Sequence, residues 1–514
     1  MGKPKSDNSL STYDVLLPAA LAKRASEAMA SAGLAKLNPK AMVFLGSLVS
    51  RSTNKKAFKK WVGQGRIKTR FVPVSSRIAQ RSFDRSADYT AMVRALVDAG
   101  VIEVGRNYAA GSHCRSYRPA EDLVNSHREI RSLTGRQALG IVRAANEAES
   151  QKPLRCPLPV FEHQVSTLRR LSVTPGAQAM LDRVTRKANR QGRVIDAMHQ
   201  YALNRLGRMR CSEAIPDRLL ITEDPNGRMY SPVVNLAKCF RQYLTLDGEQ
   251  LVSLDITSCQ PFLLAVLLNR LVDALDRAQW VGSIDVLRDE SEAMMTRLGA
   301  TEEASGLFWA YLKKRYTRWS PEESVRTKGE LSRFRDLVCS GKLYEGIMAK
   351  TDYKADRKSF KEMFFRALYA RFKNGVKTQE WRCFARMFPR IAREIKLMKY
   401  YRLDKDWLEA SKRYTPTKLL PCILQAIEAR LMFRSVCPTL MAADIEFITI
   451  HDCVLVQASK SEAALEAWKQ AFAQHGLHPA IKGETLETSK VPKSQPLAVS
   501  RKRSPRSRVK HQTN

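Results

Sequence analysis

Two apolar, β-branched runs that each end on an aspartate constrain this chain more than any other feature of it. One is Val252-Ser253-Leu254-Asp255-Ile256, continuing through Thr257-Ser258-Cys259-Gln260-Pro261-Phe262. The other is Phe447-Ile448-Thr449-Ile450-His451-Asp452-Cys453-Val454-Leu455-Val456. Short apolar runs of this kind read as buried strands. A carboxylate at the end of one is costly to bury without a charged partner. Two such acids at neighbouring strand ends would form an oxygen-ligand pair suited to Mg²⁺. The second run reads as strand, turn, strand, with His451 and Asp452 at the tip of a hairpin. In the first, Pro261 onward reads as a buried helix.

Charge says what such a pair would act on. The 514 residues carry 87 Lys and Arg against 51 Asp and Glu, a net charge of +36. An excess spread over the whole length points to a polyanionic partner, most often nucleic acid. The 10 cysteines include no C-x-x-C pair, which argues against a structural zinc site and a disulfide framework and fits a reducing compartment. No apolar run approaches the roughly 18 residues of a membrane span, and the polar N-terminus does not read as a secretory signal. Met1-Gly2-Lys3-Pro4-Lys5-Ser6 fits the myristoylation pattern only formally, with a proline inside the motif. A cytoplasmic or nucleoid-associated location is expected, or a nuclear one in a eukaryotic host, given the Arg/Lys cluster at 501–506.

Along the chain, residues 1–35 read as a flexible start leading into an Ala-rich helix. Lys40 to Ser50 reads as a helix and Arg70 to Val74 as a short strand, after which Ser75-Ser76 can cap a further helix. Tyr89, Met92, Val93, Leu96 and Val97 recur at helical spacing, and Gly100 stops that helix. Val101–Val104 and Ser116–Arg118 flank a turn and read as a hairpin. Over 36–120 this order of helices followed by a hairpin resembles a winged-helix domain. The resemblance implies that Arg77, Arg81, Arg85, Arg94, Arg106 and Arg115 meet nucleic-acid phosphate. Residues 121–225 read as an Arg-rich helical linker or thumb-like region. The tail from 483 to 514 is basic and Pro-bearing and reads as disordered.

Between the two aspartates lies a third segment, Arg357 to Ala370, with the spacing R-x3-K-x7-Y. On a helix, Arg357, Lys361, Phe365 and Tyr369 are each four apart and share one face. That face offers two cations to a triphosphate and two rings to a base. The order acid, cationic helix, His-Asp is similar to that of the family A polymerases, the group of the bacterial repair DNA polymerases and the phage-type single-subunit RNA polymerases. Asp255 with Gln260 matches their first motif, Arg357, Lys361 and Tyr369 their second, and His451-Asp452 their third. Upstream, Asn226-Gly227-Arg228, Asn235-Leu236 and Arg241 resemble the family's stretch before the first motif, and Leu424 to Glu428 its template-side helix.

The resemblance covers roughly 225–460, somewhat under half of the chain, and implies a great deal. The expected fold is α+β and mostly helical: a right-hand polymerase of palm, fingers and thumb behind an N-terminal winged helix. Two Mg²⁺ ions, replaceable by Mn²⁺, would be held by Asp255, Asp452 and the Ile256 carbonyl, one activating a 3′-hydroxyl and the other the triphosphate. Arg357 and Lys361 would hold the triphosphate, with Lys361 as a proton donor to pyrophosphate. Phe365, Tyr369 and Gln260 would shape the nucleotide pocket. Arg228, Arg241, Gln425 and His451 would contact primer–template, Arg228 in the minor groove where acceptors vary little with sequence. Departures are Ala370 after Tyr369, Cys453 after His-Asp, Gln260 where the DNA enzymes carry Glu, and a stretch between the first two motifs longer than the family's usual one. Gln260 is bulky enough to crowd a ribose 2′-hydroxyl, which favours dNTPs. No exonuclease constellation precedes 225, so proofreading is not expected. The reading is a DNA polymerase of a plasmid, phage or similar mobile element. An RNA polymerase or primase remains open, as does a non-catalytic DNA-binding replication initiator.

Overall fold

The computed structural model describes residues 12–52, 69–74, 86–105, 115–134, 150–190, 198–208, 217–285, 302–369, 378–400 and 416–486, apart from 225, 352, 354 and 355, with a few isolated positions besides. The molecule is mostly helical, with antiparallel sheets, an α+β protein as expected. Its buried apolar residues fall into two clusters. One gathers residues between Val15 and Leu133. The other gathers residues between Cys156 and Phe472.

In the first unit, strand β1 (Thr12–Pro18) leads straight into the Ala19–Ser31 helix. The Ala-rich helix expected within 1–35 is thus present, but the stretch before it is strand from Thr12 rather than flexible. Its register partner is a late strand, β5 (Arg128–Thr134), paired along its full length. The Asn38–Ser52 helix buries Ala41, Met42, Leu45, Leu48 and Val49, the 3–4 spacing of a core-facing stripe. Strands β2 (Val72–Pro73), β3 (Ile102–Val104) and β4 (Ser116–Pro119) form a sheet ordered β2-β4-β3. The Ser86–Asp98 helix ends at Gly100, whose φ of 65° is the left-handed value a helix-terminating residue needs. Arg94 and Arg115 are exposed here. Arg77, Arg81, Arg85, Arg106 and the turn of the hairpin lie outside the described residues.

The second unit is built on one six-stranded sheet. Its members are β6 (Leu171–Val173), β9 (Leu244–Leu246), β10 (Glu249–Ile256), β11 (Phe447–Ile450), β12 (Cys453–Gln457) and β13 (Ile481–Thr485). The path is β11-β12-β10-β9-β6, with β13 on the other edge of β10. A separate pair, β7 (Thr222–Glu223) and β8 (Met229–Tyr230), lies upstream. β9 and β10 join through Asp247-Gly248, with φ of 51° and 86°, the two left-handed residues that suit a tight hairpin. Central β10 buries Leu251, Val252, Leu254 and Ile256. The 23-residue helix Cys259–Val281 that follows is apolar on most faces and packs on Pro321–Cys339.

Two boundaries move. The segment 121–225, expected as a helical linker or thumb-like region, is divided between the units: β5 belongs to the first, and the Leu158–Arg170 helix and β6 belong to the second core. Gln164 of that helix is 2% exposed and satisfies edge strand β11, donating to the Phe447 carbonyl at 3.3 Å and accepting from the Thr449 N–H at 3.0 Å. Such coverage removes an open strand edge. At the other end, residues expected to begin a disordered tail at 483 complete β13, in register with β10. Residues from 487 onward lie outside the described residues. Among the described residues, no helix is long and apolar enough to cross a membrane.

Candidate active site

Strand pairing brings the two aspartates together. β10 runs antiparallel to β12 with Asp255 opposite Cys453, one residue from Asp452. The Ile256 N–H donates to the Asp452 carbonyl at 3.3 Å, closing the ladder beside the His451-Asp452 turn. Ile256 itself pairs with Ile481 of β13 on the other side. Two of the non-glycine residues with left-handed backbone stand here, His451 at φ 58° and Ser258 at φ 56°. Each immediately precedes a site element, the first Asp452 and the second the helix that carries Cys259 and Gln260. Backbone strain of this sort is held in place only by surrounding structure, and clusters where side chains must be aimed.

The charge of Asp452 is felt at Asp255. Asp255 keeps an exposed edge, yet its carboxyl is pushed up to about 7, first by partial burial and then by Asp452, with Lys361 opposing. Lys361 is within electrostatic reach of the acid, and the Tyr369 hydroxyl, bonded to Gln260, ties the Arg357–Tyr369 helix to the start of the Cys259–Val281 helix that follows β10. The helix is seated by Phe360, Phe364 and Leu368, all fully buried, while Arg357, Lys361, Phe365 and Tyr369 share the neighbouring face. Asp356 caps its start, accepting from the Ser359 N–H at 3.0 Å. Lys361 Nζ lies 5.9 Å from the Phe365 ring, and Phe365 stacks on Tyr369 at 5.8 Å and 17°. Arg357 is exposed and pairs with Glu345, its guanidinium 5.4 Å from the Tyr344 ring.

Behind this face runs a chain of hydrogen bonds. The Tyr369 hydroxyl donates to Gln260 Oε1 at 2.5 Å, and Gln260 Nε2 donates to Glu428 Oε2. Glu428 also takes Arg228 Nη2 at 2.6 Å. The Glu428 side chain is 2% exposed, and burial first, then Asp452, pushes its carboxyl up to about 7 against the pull of Arg228. Its Oε1 is buried and finds no hydrogen-bond partner among the described residues. Cys259 Sγ and oxygens of Glu428 and Asp452 lie within 4.8 Å of one another, a donor set that could hold a cation. Burial and then these two acids push the Cys259 thiol well above its usual range.

The remaining expected residues line one flank. Gln425 Oε1 accepts from Asn226 Nδ2 at 2.8 Å, tying the Pro416–Leu431 helix to the turn before β8. Asp224 holds that turn by accepting from the N–H groups of Asn226 and Arg228 at 2.8 and 3.0 Å. His451 packs edge-on to Tyr230 at 5.2 Å; burial and then Arg228 lower its pKa, so the ring is neutral. Arg241 donates to the Leu236 carbonyl at 3.2 Å, and burial lowers its pKa.

Three residues escaped the sequence reading. Glu428 stood inside a quoted segment without a role, and Cys259 beside Gln260. Glu484 came from the segment taken as tail. It is close enough to raise Asp255, and Lys482 and Lys238, at 2.6 and 3.0 Å, hold its own carboxyl down to about 2. No family model matches this chain, and no curated protein shows significant similarity to it.

Proposed function

We propose that this protein carries out template-directed nucleotidyl transfer, adding nucleotides from triphosphates to a nucleic-acid strand. The observation that carries the reading is the juxtaposition of Asp255 and Asp452 at adjacent strand ends under the Lys361-bearing helix. The donor set fits a hard divalent cation. Asp255 is a raised acid beside Asp452, and Asp452 shares a cluster with Glu428, whose Oε1 finds no hydrogen-bond partner among the described residues. Asp255 and Asp452 would hold Mg²⁺, or Mn²⁺ in its place, with the Ile256 carbonyl as a further ligand. Bound there, the metal supplies Lewis-acid activation of a hydroxyl and charge neutralisation on phosphate.

The chain's own residues do the rest. Lys361 offers its ammonium to the triphosphate and a proton to the departing pyrophosphate. Arg357 adds a second cation one turn away once it exchanges Glu345 for phosphate. Phe365 and Tyr369, nearly parallel, form a platform for a base. Gln260 stands as a bulky wall toward the sugar, so the product we assign is DNA. In the N-terminal unit, a helix followed by a sheet ordered β2-β4-β3 supports a winged-helix reading, with its arginines on phosphate. Together these suit the replication enzyme of a plasmid, phage or other mobile element.

Primer extension with Mg²⁺ tests the reading. Wild-type protein should extend a primed DNA template with dNTPs in preference to NTPs. Asp255→Ala and Asp452→Ala should abolish extension while leaving DNA binding by filter retention largely intact. Extension with NTPs alone would move the assignment to an RNA polymerase or primase. No incorporation on any primed or unprimed template would sink the catalytic reading and leave a DNA-binding initiator.

A further inference from the structure

Gln260 is held at both ends. A carboxamide has one accepting and one donating end, and here the accepting end receives the Tyr369 hydroxyl proton while the donating end faces Glu428. Turning the amide over would set its oxygen against a carboxylate oxygen. The direction of the Gln260 head group is therefore dictated by Glu428, an acid 168 residues away in sequence. Glu428 is itself fixed from the far side by Arg228 at 2.6 Å, with side-chain exposures of 2% and 15% for the two partners. Four side chains thus form one line, Tyr369, Gln260, Glu428 and Arg228. It runs from the cationic helix, across the start of the Cys259–Val281 helix, to the turn before β8.

We infer that Glu428 is the positioning residue that sets sugar selectivity here, by pinning Gln260 so that it cannot swing or turn to admit a ribose 2′-hydroxyl. The inference rests on the nucleotidyl-transfer reading and names its substrate class, 2′-deoxynucleoside triphosphates. The same geometry explains why position 260 carries an amide. A glutamate there would press a second carboxylate onto Glu428, with Asp452 already close to it. The amide supplies equal bulk and a donor that Glu428 can use. Charge and hydrogen-bond polarity at the wall are consequently shared between 260 and 428, not set by residue 260 alone.

The test is the ratio of kcat/KM for dCTP over CTP opposite a single template guanine. Wild-type protein favours dCTP. Glu428→Gln lets the Gln260 amide take either orientation, and the ratio falls about tenfold, the size of one hydrogen bond to a charged group. Tyr369→Phe removes the other anchor, leaves the Arg228–Glu428 pair in place, and lowers the ratio in the same direction. The exchanged pair Gln260→Glu with Glu428→Gln restores donor and acceptor at each end and recovers the ratio to within about threefold of wild type. A purely structural Glu428 would lower both kcat/KM values together. An unchanged ratio in Glu428→Gln and in Tyr369→Phe overturns the inference while leaving polymerase activity standing. Failure of wild-type protein to incorporate either nucleotide overturns the nucleotidyl-transfer reading, and this inference with it.

Discussion

Cation binding at the Asp255–Asp452 pair should release protons, and how many is set by the crowding of the site. Without metal, the Asp255 carboxyl titrates at about 7. At pH 6 only roughly one site in eleven then has that carboxylate ready, and at pH 8 roughly ten in eleven. Apparent affinity for Mn²⁺ or Mg²⁺ should therefore tighten about tenfold between pH 6 and pH 8, and level off above. Calorimetry in two buffers of different ionisation heat counts the protons. Asp255 should contribute about half a proton at pH 7, and Glu428, also near 7, up to as much again where the cation engages its free oxygen. Asp255→Asn should weaken binding and remove its share of the proton release.

Stability follows with a definite sign. A carboxyl whose folded pKa lies above its unfolded value of 3.8 favours the fold below that value, and the advantage is lost as pH rises through about 7. The metal-free protein should therefore melt lower at pH 8 than at pH 6 on account of this site, and added Mg²⁺ should raise the midpoint more at pH 8. Metal-free Asp255→Asn should melt above wild type at pH 8 and level with it near pH 4, the usual cost that a strained functional site imposes on the fold. Equal cation affinity at pH 6 and pH 8 with no proton exchange would refute the reasoning. So would a pH dependence that survives Asp255→Asn undiminished.

Arg228→Met removes the partner of Glu428, which can answer by keeping its proton. The loss should be about 1 kcal/mol near pH 5, from the hydrogen bond, and grow to about 3 kcal/mol at pH 8.5; urea melts at the two pH values would show a flat cost if the pair is not ionic. Gln164→Leu strands the Phe447 carbonyl and the Thr449 N–H at the buried edge of β11, so it should cost about 2–4 kcal/mol in the same assay. A chain ending at 479 loses β13 from the flank of β10 and should melt clearly lower than one ending at 486. Equal midpoints for those two truncations would refute the placement of β13.

Local pattern carried some of this architecture and not the rest. The strands around Asp255 and Asp452, the helix after Pro261 and the Arg357–Tyr369 helix were legible because each is a short element with one strong period. What failed was membership. Leu158–Arg170 reads as an amphipathic Arg-bearing helix and so looks like a linker, but its buried Gln164 is spoken for by backbone nearly 300 residues on, at a separation of 283. β13 follows a loop and precedes a basic tail, and only pairing with β10 distinguishes its five residues from that tail. Nothing local could mark Glu428 either: on the Pro416–Leu431 helix it is one more helical glutamate. Its meaning comes from Arg228, Gln260 and Asp452, each on a different element.

Two of the positions at which the chain departs from the polymerase pattern proposed for it, Gln260 and Cys453, share a physical reason. Both put an uncharged side chain where the DNA enzymes carry an acid, beside a site already crowded by Asp255, Asp452, Glu428 and Glu484. Cys453 is 8% exposed, its Sγ 3.1 Å from Ser253 Oγ on the facing strand, so a carboxylate there would enter the sheet directly opposite Asp255. A glutamate at 260 would do the same to Glu428. Asp255 and Glu428 already titrate near 7, and each further acid would drive them higher and deprive a cation of its ligands at neutral pH. A buried glutamate at 428 and neutral residues at 260 and 453 are thus one solution, in which the charge needed at the site is kept and its position exchanged. Restoring an acid at 453 alone, by Cys453→Glu, should then weaken Mg²⁺ binding at pH 7 rather than strengthen it; tighter binding in that variant would show that the site is short of carboxylates, not crowded with them.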